Sequence, residues 1–504
     1  MNNNLILSIT TIGDLLLEQK ITNSGNKVNL CVPIYQRPYK WTARNAIQLL
    51  DDIIEAKNNN KERYRMGTLI LHKTRDEEQK ERYDIVDGLQ RTITLSLLLK
   101  ALGQDDIGFL EQNIYDNVYN NHNIANNFNA LKRRIGLKLK DSDSDTEYQR
   151  EIEHLRDYIE EKCELIVVIT LDVSEAFQFF DSQNARGKAL YPHDLLKAYH
   201  LREMHDISEE ETEKIIKDWE QVSQSGLADF FGNYLYRIKE WVSGNKANVL
   251  NERNIHIFKG ITRFARTPYA QFYKGAYCYA DMINSSAMPF ASGTRNVNAF
   301  QLDTPIIAGK PFFEYTKHYY NILMDIQNNN KYEGFYINDN IIVKTLDKHF
   351  KKGKGNSIAR LLFDTSVLLY VDRFCPATYP TKEDIELFEQ FVVYAFIWAY
   401  SLRAQYTNLG WLSAQNYIME CSDKINAFNM YKLITKQDTP SSLLSALADK
   451  INPLSRNDIK DGWAQKYYEC SGKENLLKDQ KDDKEDICKN YLYFFQINGF
   501  LKID

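Results

Sequence analysis

The segment from Tyr83 to Leu102, YDIVDGLQRTITLSLLLKAL, constrains the fold more than any other part of the chain. A strand-like apolar run ends at Asp87-Gly88, and a leucine-rich stretch of helical character begins directly after it. A strand that turns into a helix in this way points several backbone N–H groups at one place, with the positive end of the helix dipole behind them. The turn is therefore a candidate anion site.

The side chains around this turn suit such a site. Gly88 allows a ligand to approach the backbone closely, and Arg91, about one helical turn further on, could reach a phosphate. Asp87 could cap the helix or hold a divalent cation. A simpler alternative also stands, in which the helix is merely capped and Arg91 forms a surface salt bridge, because Asp-Gly is common before a helix.

Two other segments combine polar and basic residues in a similar way. VPIYQRPYKWT carries Gln36 and Arg37 among aromatic residues and two prolines, so it could stack a nucleobase while Arg37 meets a phosphate. An aromatic-anchored loop in the core is the alternative. FDSQNARGKALYPHDLLK places Asn184, Arg186 and Lys188 around a glycine, which predicts either a phosphate grip or a solvated helix end.

Strand signals are confined to the N-terminal part of the chain. Strands are predicted at 27–32, at MGTLILHK, at RYDIV and at CELIVVITL, and helices at 10–18, 43–56 and 89–102. Beyond about residue 206 amphipathic, aromatic-rich helices dominate. We therefore predict an α+β domain over residues 1–205, with a helical insertion near 103–162, followed by an α-helical domain over 206–504.

Composition excludes several classes of protein. The 504 residues carry a net charge of −5, so any polyanion site must arise from local clustering. The seven cysteines are scattered and show neither a disulfide framework nor metal-ligand spacing. No stretch reaches about 18 uninterrupted apolar residues. We expect a cytoplasmic protein that does not enter the membrane.

The three polar segments together resemble a known family. QRPYKW, then VDGLQR about fifty residues on, then FxxxNARGKxLxxxDLLK, are similar in type and order to three motifs of the GmrSD-type restriction family (GmrS-like, domain-of-unknown-function family 262). The second motif of that family usually reads Asp-Gly-Gln-Gln-Arg, whereas this chain has Leu89 at the third place. The resemblance extends into the helical half, at FQLDTPIIAGKPFFEYTKHYYNIL and LLFDTSVLLYVDRF.

This resemblance implies a ParB/sulfiredoxin-like N-terminal domain that binds and hydrolyses a nucleoside triphosphate (NTP) with Mg²⁺. By position, the catalytic residues would be Asp87, Gln90 and Arg91, with Asp87 also holding the metal. The nucleotide would be bound by the remaining motif residues, which are Gln36, Arg37, Gly88, Asn184, Arg186 and Lys188. Leu89 removes one polar side chain, which affects the expected hydrolysis more than binding.

The family also implies contact with foreign, often modified, phage DNA. For this contact the basic segment KHFKKGKGNSIAR offers Lys351, Lys352, Lys354 and Arg360 around two glycines. A second basic cluster includes Lys132, Arg133, Arg134, Lys138 and Lys140. Each cluster taken alone is also compatible with an ordinary basic surface.

A nuclease motif found in longer relatives is absent from this sequence. Full-length relatives often end in a His-Asn-His nuclease domain with a His-x-x-Pro core, and none of the nine histidines here begins that pattern. Such a nuclease needs a histidine base to activate water. We therefore expect a separate nuclease-bearing subunit as partner. The sequence is also compatible with a homo-oligomer.

Three functions compete. The first is an NTP-binding and NTP-hydrolysing sensor subunit of a modification-dependent restriction system. The second is a non-catalytic module that recognises DNA or protein, and the third is an autonomous nuclease whose ParB-like domain uses carboxylates such as Asp84 and Asp87 to hold a metal.

Overall fold

A computed structural model describes residues 5–21, 27–33, 36, 39–75, 80–111, 118–138, 145–171, 191–204, 207–284, 297–327, 354–376, 380–461 and 491–502. The chain divides into two compact units. The first comprises residues 1–190 and 207–216, and the second comprises residues 191–206 and 217–504.

The first unit contains a mixed β-sheet, whose described strands lie in the order β1-β5-β3-β4-β2. Pairing is antiparallel between β1 and β5 and between β3 and β4, and parallel between β5 and β3 and between β4 and β2. The strands are β1 (Leu5–Thr11), β2 (Leu30–Cys31), β3 (Tyr64–Arg75), β4 (Glu81–Asp87) and β5 (Cys163–Thr170).

Helices accompany this sheet in the first unit. Thr11 caps the first helix by accepting a hydrogen bond from the backbone N–H of Asp14 (3.2 Å). Asn45 accepts one from the backbone N–H of Thr42 at the start of the second (3.1 Å). The helices are α1 (Ile12–Leu16), α2 (Ala43–Asn58), α3 (Leu89–Ala101), α4 (Gly108–Glu111), α5 (Val118–Lys138) and α6 (Asp145–Lys162).

The core of the first unit joins one face of the sheet to these helices. Leu69 and Leu71 alternate along β3, and Val167 occupies the same face of β5; all three are fully buried. They belong to one apolar cluster with Leu50 of α2 and Ile159 of α6. The sheet that carries β3 and β4 is thereby packed against a layer of helices.

The second unit is mainly helical in its described parts. Its core is rich in aromatic residues, such as the stacked pairs Tyr370–Phe391 and Phe396–Tyr400. The helices are α7 (Pro192–Arg202), α8 (Glu209–Glu220, shared with the first unit), α9 (Gln224–Asp229), a π-helical segment (Phe230–Leu235), α10 (Tyr236–Val242), α11 (His256–Lys259), α12 (Pro268–Asn284), α13 (Lys310–Gln327), α14 (Lys354–Phe374), α15 (Lys382–Ala404), α16 (Trp411–Ile418), α17 (Met430–Lys436), α18 (Pro440–Lys450) and α19 (Leu492–Ile497).

The predicted fold class is confirmed, since a sheet-containing N-terminal part precedes a helical C-terminal part. The predicted strands at MGTLILHK, RYDIV and CELIVVITL correspond to β3, β4 and β5. The edge strand β1 was not predicted. Among the described residues one helix, α15, is long and apolar enough to cross a membrane, but most of it is buried within the protein, which is typical of a core helix.

Candidate functional site

The Asp87-Gly88 turn joins β4 to α3 as the sequence predicts. Gly88 has a φ of +100°, a left-handed conformation that favours glycine, and it is the N-cap residue of α3. Its carbonyl accepts hydrogen bonds from the backbone N–H of Thr92 (2.9 Å) and from the Thr92 hydroxyl (3.1 Å). The first-turn amides of an α-helix have no acceptor within the helix, so the turn stays a candidate anion site.

Gly88 also brings the turn against the neighbouring strand. A Cβ atom at this position would stand 2.9 Å from Cδ1 of Leu69 and 3.3 Å from the carbonyl oxygen of Thr68. Only glycine therefore fits both the backbone conformation and the available space. The close approach places the start of α3 directly beside β3.

Arg91 lies over this same point of β3. Its guanidinium is half-buried, and Nη1 donates a hydrogen bond to the carbonyl oxygen of Thr68 (3.3 Å). Burial lowers the pKa of Arg91, and the Asp87 carboxylate opposes that shift. Within the described part of the chain no carboxylate forms a salt bridge with Arg91, so the predicted alternative of a surface salt bridge is not seen there. A partly buried cation whose partner among the described residues is one carbonyl can gain much from an incoming anion.

The role of Gly67 was not identified from the sequence, although this residue leaves the space that the Arg91 guanidinium occupies. Its φ is +116°, and the register of β3 against β5 shifts between Arg65 and Thr68. A Cβ at this position would stand 2.8 Å from Nη1 of Arg91. A glycine in the middle of a strand-like run is the sequence signal of such a bulge and close approach.

Gln36 ties the first polar segment to the end of β4. Its Nε2 donates hydrogen bonds to the carbonyl oxygens of Ile85 (2.7 Å) and Val86 (2.6 Å). The parallel ladder between β2 and β4 ends at Cys31, so the Gln36 amide continues the pairing of β4 where the strand has stopped. The structure thus brings the first and second motifs together, one residue from Asp87.

Gln90 fixes the chain that follows Gln36. Its Oε1 accepts hydrogen bonds from the backbone N–H groups of Lys40 (2.7 Å) and Trp41 (3.2 Å). The Gln90 side chain therefore holds this loop in position. Its predicted catalytic role stays a prediction. The Asn127 amide donates to the Trp41 carbonyl and to the Tyr39 hydroxyl, both at 2.8 Å.

The position of Tyr39 contradicts the base-stacking interpretation of the first polar segment. Its side chain is fully buried, and its hydroxyl lies 2.7 Å from that of Thr94. A base entering from solvent cannot stack on this ring, so Tyr39 is the core anchor that the alternative interpretation described. Trp41 is partly buried and packs against the same apolar core.

Leu89, the departure from the usual motif, points into the protein. It is 4% exposed and belongs to the apolar core beneath the sheet. The position is therefore a packing position in this chain. The other predicted nucleotide-binding residues, Arg37, Asn184, Arg186 and Lys188, lie outside the described residues.

The predicted DNA contacts separate into exposed and buried residues. Lys354, at the start of α14, is exposed, whereas Lys351 and Lys352 lie outside the described residues. Arg360 is 3% exposed, and its Nε donates to Oδ1 of Asp364 at 2.6 Å. Arg360 belongs to the core of the second unit, and its prediction as a DNA contact was wrong because a buried, paired guanidinium does not face a phosphate backbone.

The second basic cluster lies on α5. Arg134 forms a two-point ion pair with Asp51 of α2, at 3.0 and 2.8 Å. Its charge is thus already matched within the first unit. Lys132, Arg133 and Lys138 are exposed, and Lys140 lies outside the described residues.

The turn also suits a magnesium ion held together with phosphate. No group of three or more His, Cys, Asp or Glu side chains that could hold a metal occurs in the described residues. Mg²⁺ is commonly bound by one or two carboxylates together with water and the phosphates of the substrate. The single carboxylate of Asp87, at the end of β4, fits that mode.

The fold and the site thus define an α+β domain with a candidate anion site at the turn between a strand and a helix. Residues 12–201 match the family described as "GmrSD restriction endonuclease, N-terminal domain". The match includes the Gln36 and Asp87–Arg91 segments, so over these residues the chain is similar to the GmrSD-type family, as the motifs predicted.

The helical half matches a different family. Residues 211–461 match a "Family of unknown function (DUF7834)". The motif resemblance that we extended into these helices therefore falls on a separate domain type. No curated protein matches the chain.

Proposed function

We propose that the chain is an NTP-binding and NTP-hydrolysing sensor subunit of a modification-dependent DNA restriction system. The family match supports a restriction-type role in defence. The nucleotide chemistry rests on the geometry around Arg91. The ParB/sulfiredoxin-like character of the domain is part of the same proposal.

The observation that carries the proposal is the half-buried Arg91 guanidinium in the first turn of α3. Placing a cation in a partly desolvated site, where the described residues offer it one carbonyl, costs free energy. A phosphate bound there would accept charge-assisted hydrogen bonds from Arg91 and from the first-turn amides of α3. If the turn were only a helix cap, nothing would explain why the Arg91 guanidinium occupies the space that Gly67 leaves.

Each residue of the turn then has a distinct task. Arg91 donates to phosphate oxygens, Gly88 keeps the backbone close to them, and Asp87 holds Mg²⁺. The ion neutralises charge on the phosphates when bound. Gln36 fixes the end of β4, and Gln90 fixes the loop around Lys40, so that Arg37 and the third motif can complete the site.

A second candidate, nucleotide binding without turnover, is favoured by one observation. The Gln90 oxygen already accepts two backbone hydrogen bonds, which limits its capacity to orient an attacking water. Leu89 supplies no polar atom in its place. Measured turnover distinguishes the two candidates.

The proposal extends to partners. DNA would contact the exposed Lys354 and, from the same basic segment, Lys351 and Lys352, and a nuclease-bearing subunit would cut it. The protein would act in the cytoplasm, where phage DNA enters.

Phosphate release tests this function. The purified chain is incubated with Mg²⁺ and each of the common NTPs, alone and with unmodified or base-modified duplex DNA. We expect phosphate release from at least one NTP, changed by modified DNA and abolished in Arg91→Ala. Binding without release would favour the second candidate, and neither binding nor release would reject the nucleotide site.

A further inference from the structure

An exposed aromatic surface on α12 of the second unit has no part in the site described above. Tyr269, Phe272 and Tyr279 are 59%, 70% and 56% exposed. At 100° per residue they fall within an arc of about 80°, so they share one face of the helix. Phe264, just before the helix, is 75% exposed. We name these four residues the aromatic strip.

The rings of the strip are not a random scatter of surface hydrophobics. Tyr269 and Phe272 both contact Tyr273 edge to face, with ring centroids 5.0 and 5.2 Å apart. The helix itself is anchored in the protein by buried Ala270, Ala280 and Ile283. The strip is thus an ordered apolar surface on a fixed helix, which marks an interaction site.

The charge around the strip is positive. Residues 262–280 contain Arg263, Arg266 and Lys274 but no Asp or Glu. Lys274 donates hydrogen bonds to the carbonyl oxygens of Arg263 and Ala265, which holds the Arg263–Phe264 turn against α12. The Arg263 guanidinium lies 5.7 Å from the centre of the Phe264 ring.

Burial raises the pKa of Tyr273, and the charges of Tyr269 and Asp303 add to that shift, so one carboxylate lies near the ring that Tyr269 and Phe272 contact. Glu314 accepts a hydrogen bond from the Tyr277 hydroxyl on the α13 side of α12 and also pairs with Lys310. Asp281 follows the strip toward the end of the helix. An anionic partner would therefore meet the aromatic strip without facing a carboxylate among residues 262–280.

We infer that the aromatic strip binds single-stranded DNA. Exposed rings stack on bases only when those bases are unpaired, while arginine contacts the strand backbone. This combination separates a single strand from a duplex, whose bases are already stacked. From Tyr269 to Tyr279 the strip is about 15 Å long. The inference deepens the proposed DNA role and does not depend on the nucleotide site.

The test uses the full chain and a fluorescent 20-nucleotide strand of mixed sequence, with its duplex as competitor. We expect tighter binding of the single strand and at least a tenfold loss of affinity in Phe272→Ala/Tyr279→Ala. Val249→Ala/Leu412→Ala is the matched control, because both residues are more than 70% exposed in the same unit. Arg263→Ala/Arg266→Ala should reduce the salt dependence of binding by about 1.4 in log–log slope.

Several outcomes would overturn the inference. These are equal affinity of the aromatic variant and the wild type, equal or tighter binding of the duplex by the wild type, or a change in molar mass in the aromatic variant without a change in DNA affinity. The last result would assign the strip to a second copy of the chain. NTP binding is measured on the same samples, so failure of the strip and failure of the nucleotide site are seen separately.

Discussion

Arg91 and Gly67 form the central contact of the candidate site, because the Arg91 guanidinium lies where a side chain of residue 67 would be. A Cβ on Gly67 would stand 2.8 Å from Nη1 and 3.1 Å from both Cζ and Nη2. The bulge in β3 and the helix of the second motif therefore depend on each other.

Gly67→Ala should displace the Arg91 guanidinium and weaken NTP binding. The left-handed φ of +116° adds backbone strain of about 1 kcal/mol or more. Gly103→Ala is the matched control, since Gly103 has a φ of +92° but no atom near its missing Cβ. Nucleotide affinity and melting temperature are measured for both variants. Equal NTP affinity in the two would show that crowding at Arg91 has no functional effect.

Leu89→Gln tests what the departure from the usual motif means. A glutamine at this buried position would leave its amide without partners in an apolar core, so we expect a loss of about 1–3 kcal/mol of stability and no gain in turnover. Leu89→Met, which keeps volume and polarity, should cost less. Thermal unfolding and phosphate release decide between the two views. Increased hydrolysis at unchanged melting temperature would instead assign position 89 to catalysis.

The buried carboxyl group of Asp372 should make the stability of the second unit depend on pH. It accepts hydrogen bonds from the Tyr319 hydroxyl (2.5 Å) and from the backbone N–H of Leu302 (2.8 Å). Burial is the main cause that raises the pKa of Asp372 from 3.8 to about 7, and the nearby Asp303 carboxylate adds to it. The folded state therefore holds a proton that the unfolded state releases above about pH 4.

Because the folded state binds more protons than the unfolded state between about pH 4 and 7, the contribution of Asp372 to stability should fall as pH rises through that range. Asp372→Asn keeps an acceptor for the Leu302 N–H and should flatten this part of the pH profile. Melting temperatures at pH 5 and 7.5 measure the difference. A wild-type profile as flat as that of the variant would contradict the assigned pKa.

Substitutions of the basic residues around the start of α14 should distinguish residues that bind DNA from residues that stabilise the fold. Replacing Lys351, Lys352 and Lys354 together should reduce the salt slope of duplex binding by up to about three contacts, with unfolding unchanged. Arg360→Ala should instead remove one partner of the buried ion pair with Asp364, costing about 3–5 kcal/mol of stability. An unchanged salt slope in the triple variant would remove this segment from the DNA contacts.

The sequence was sufficient for the strand–turn–helix unit because its signals are local. An apolar strand, Asp-Gly and a leucine-rich helix follow one another within twenty residues. The edge strand β1 escaped prediction because it is defined by pairing with β5, more than 150 residues away, as in Ile9 opposite Ile166. Long-range pairing leaves little trace in a short polar–apolar segment.

The same reasoning explains which parts of the site were missed. The burial of Tyr39 depends on Thr94 and Asn127, which come from two different helices. Arg360 occupies a basic sequence context, yet its place within α14 turns it toward Asp364. In both cases a tertiary partner determines the role of a residue that local composition assigned to a ligand.

Direct measurement of nucleotide binding by Arg91→Ala tests the central claim. Affinity for each NTP with Mg²⁺ is determined by calorimetry for the wild type, for Arg91→Ala and for Arg150→Ala, which removes an exposed arginine from α6 of the same unit. Losing a charge-assisted contact of about 1.5–3 kcal/mol should weaken binding by about ten- to a hundredfold in Arg91→Ala alone. Wild-type affinity in a folded Arg91→Ala variant would contradict the account.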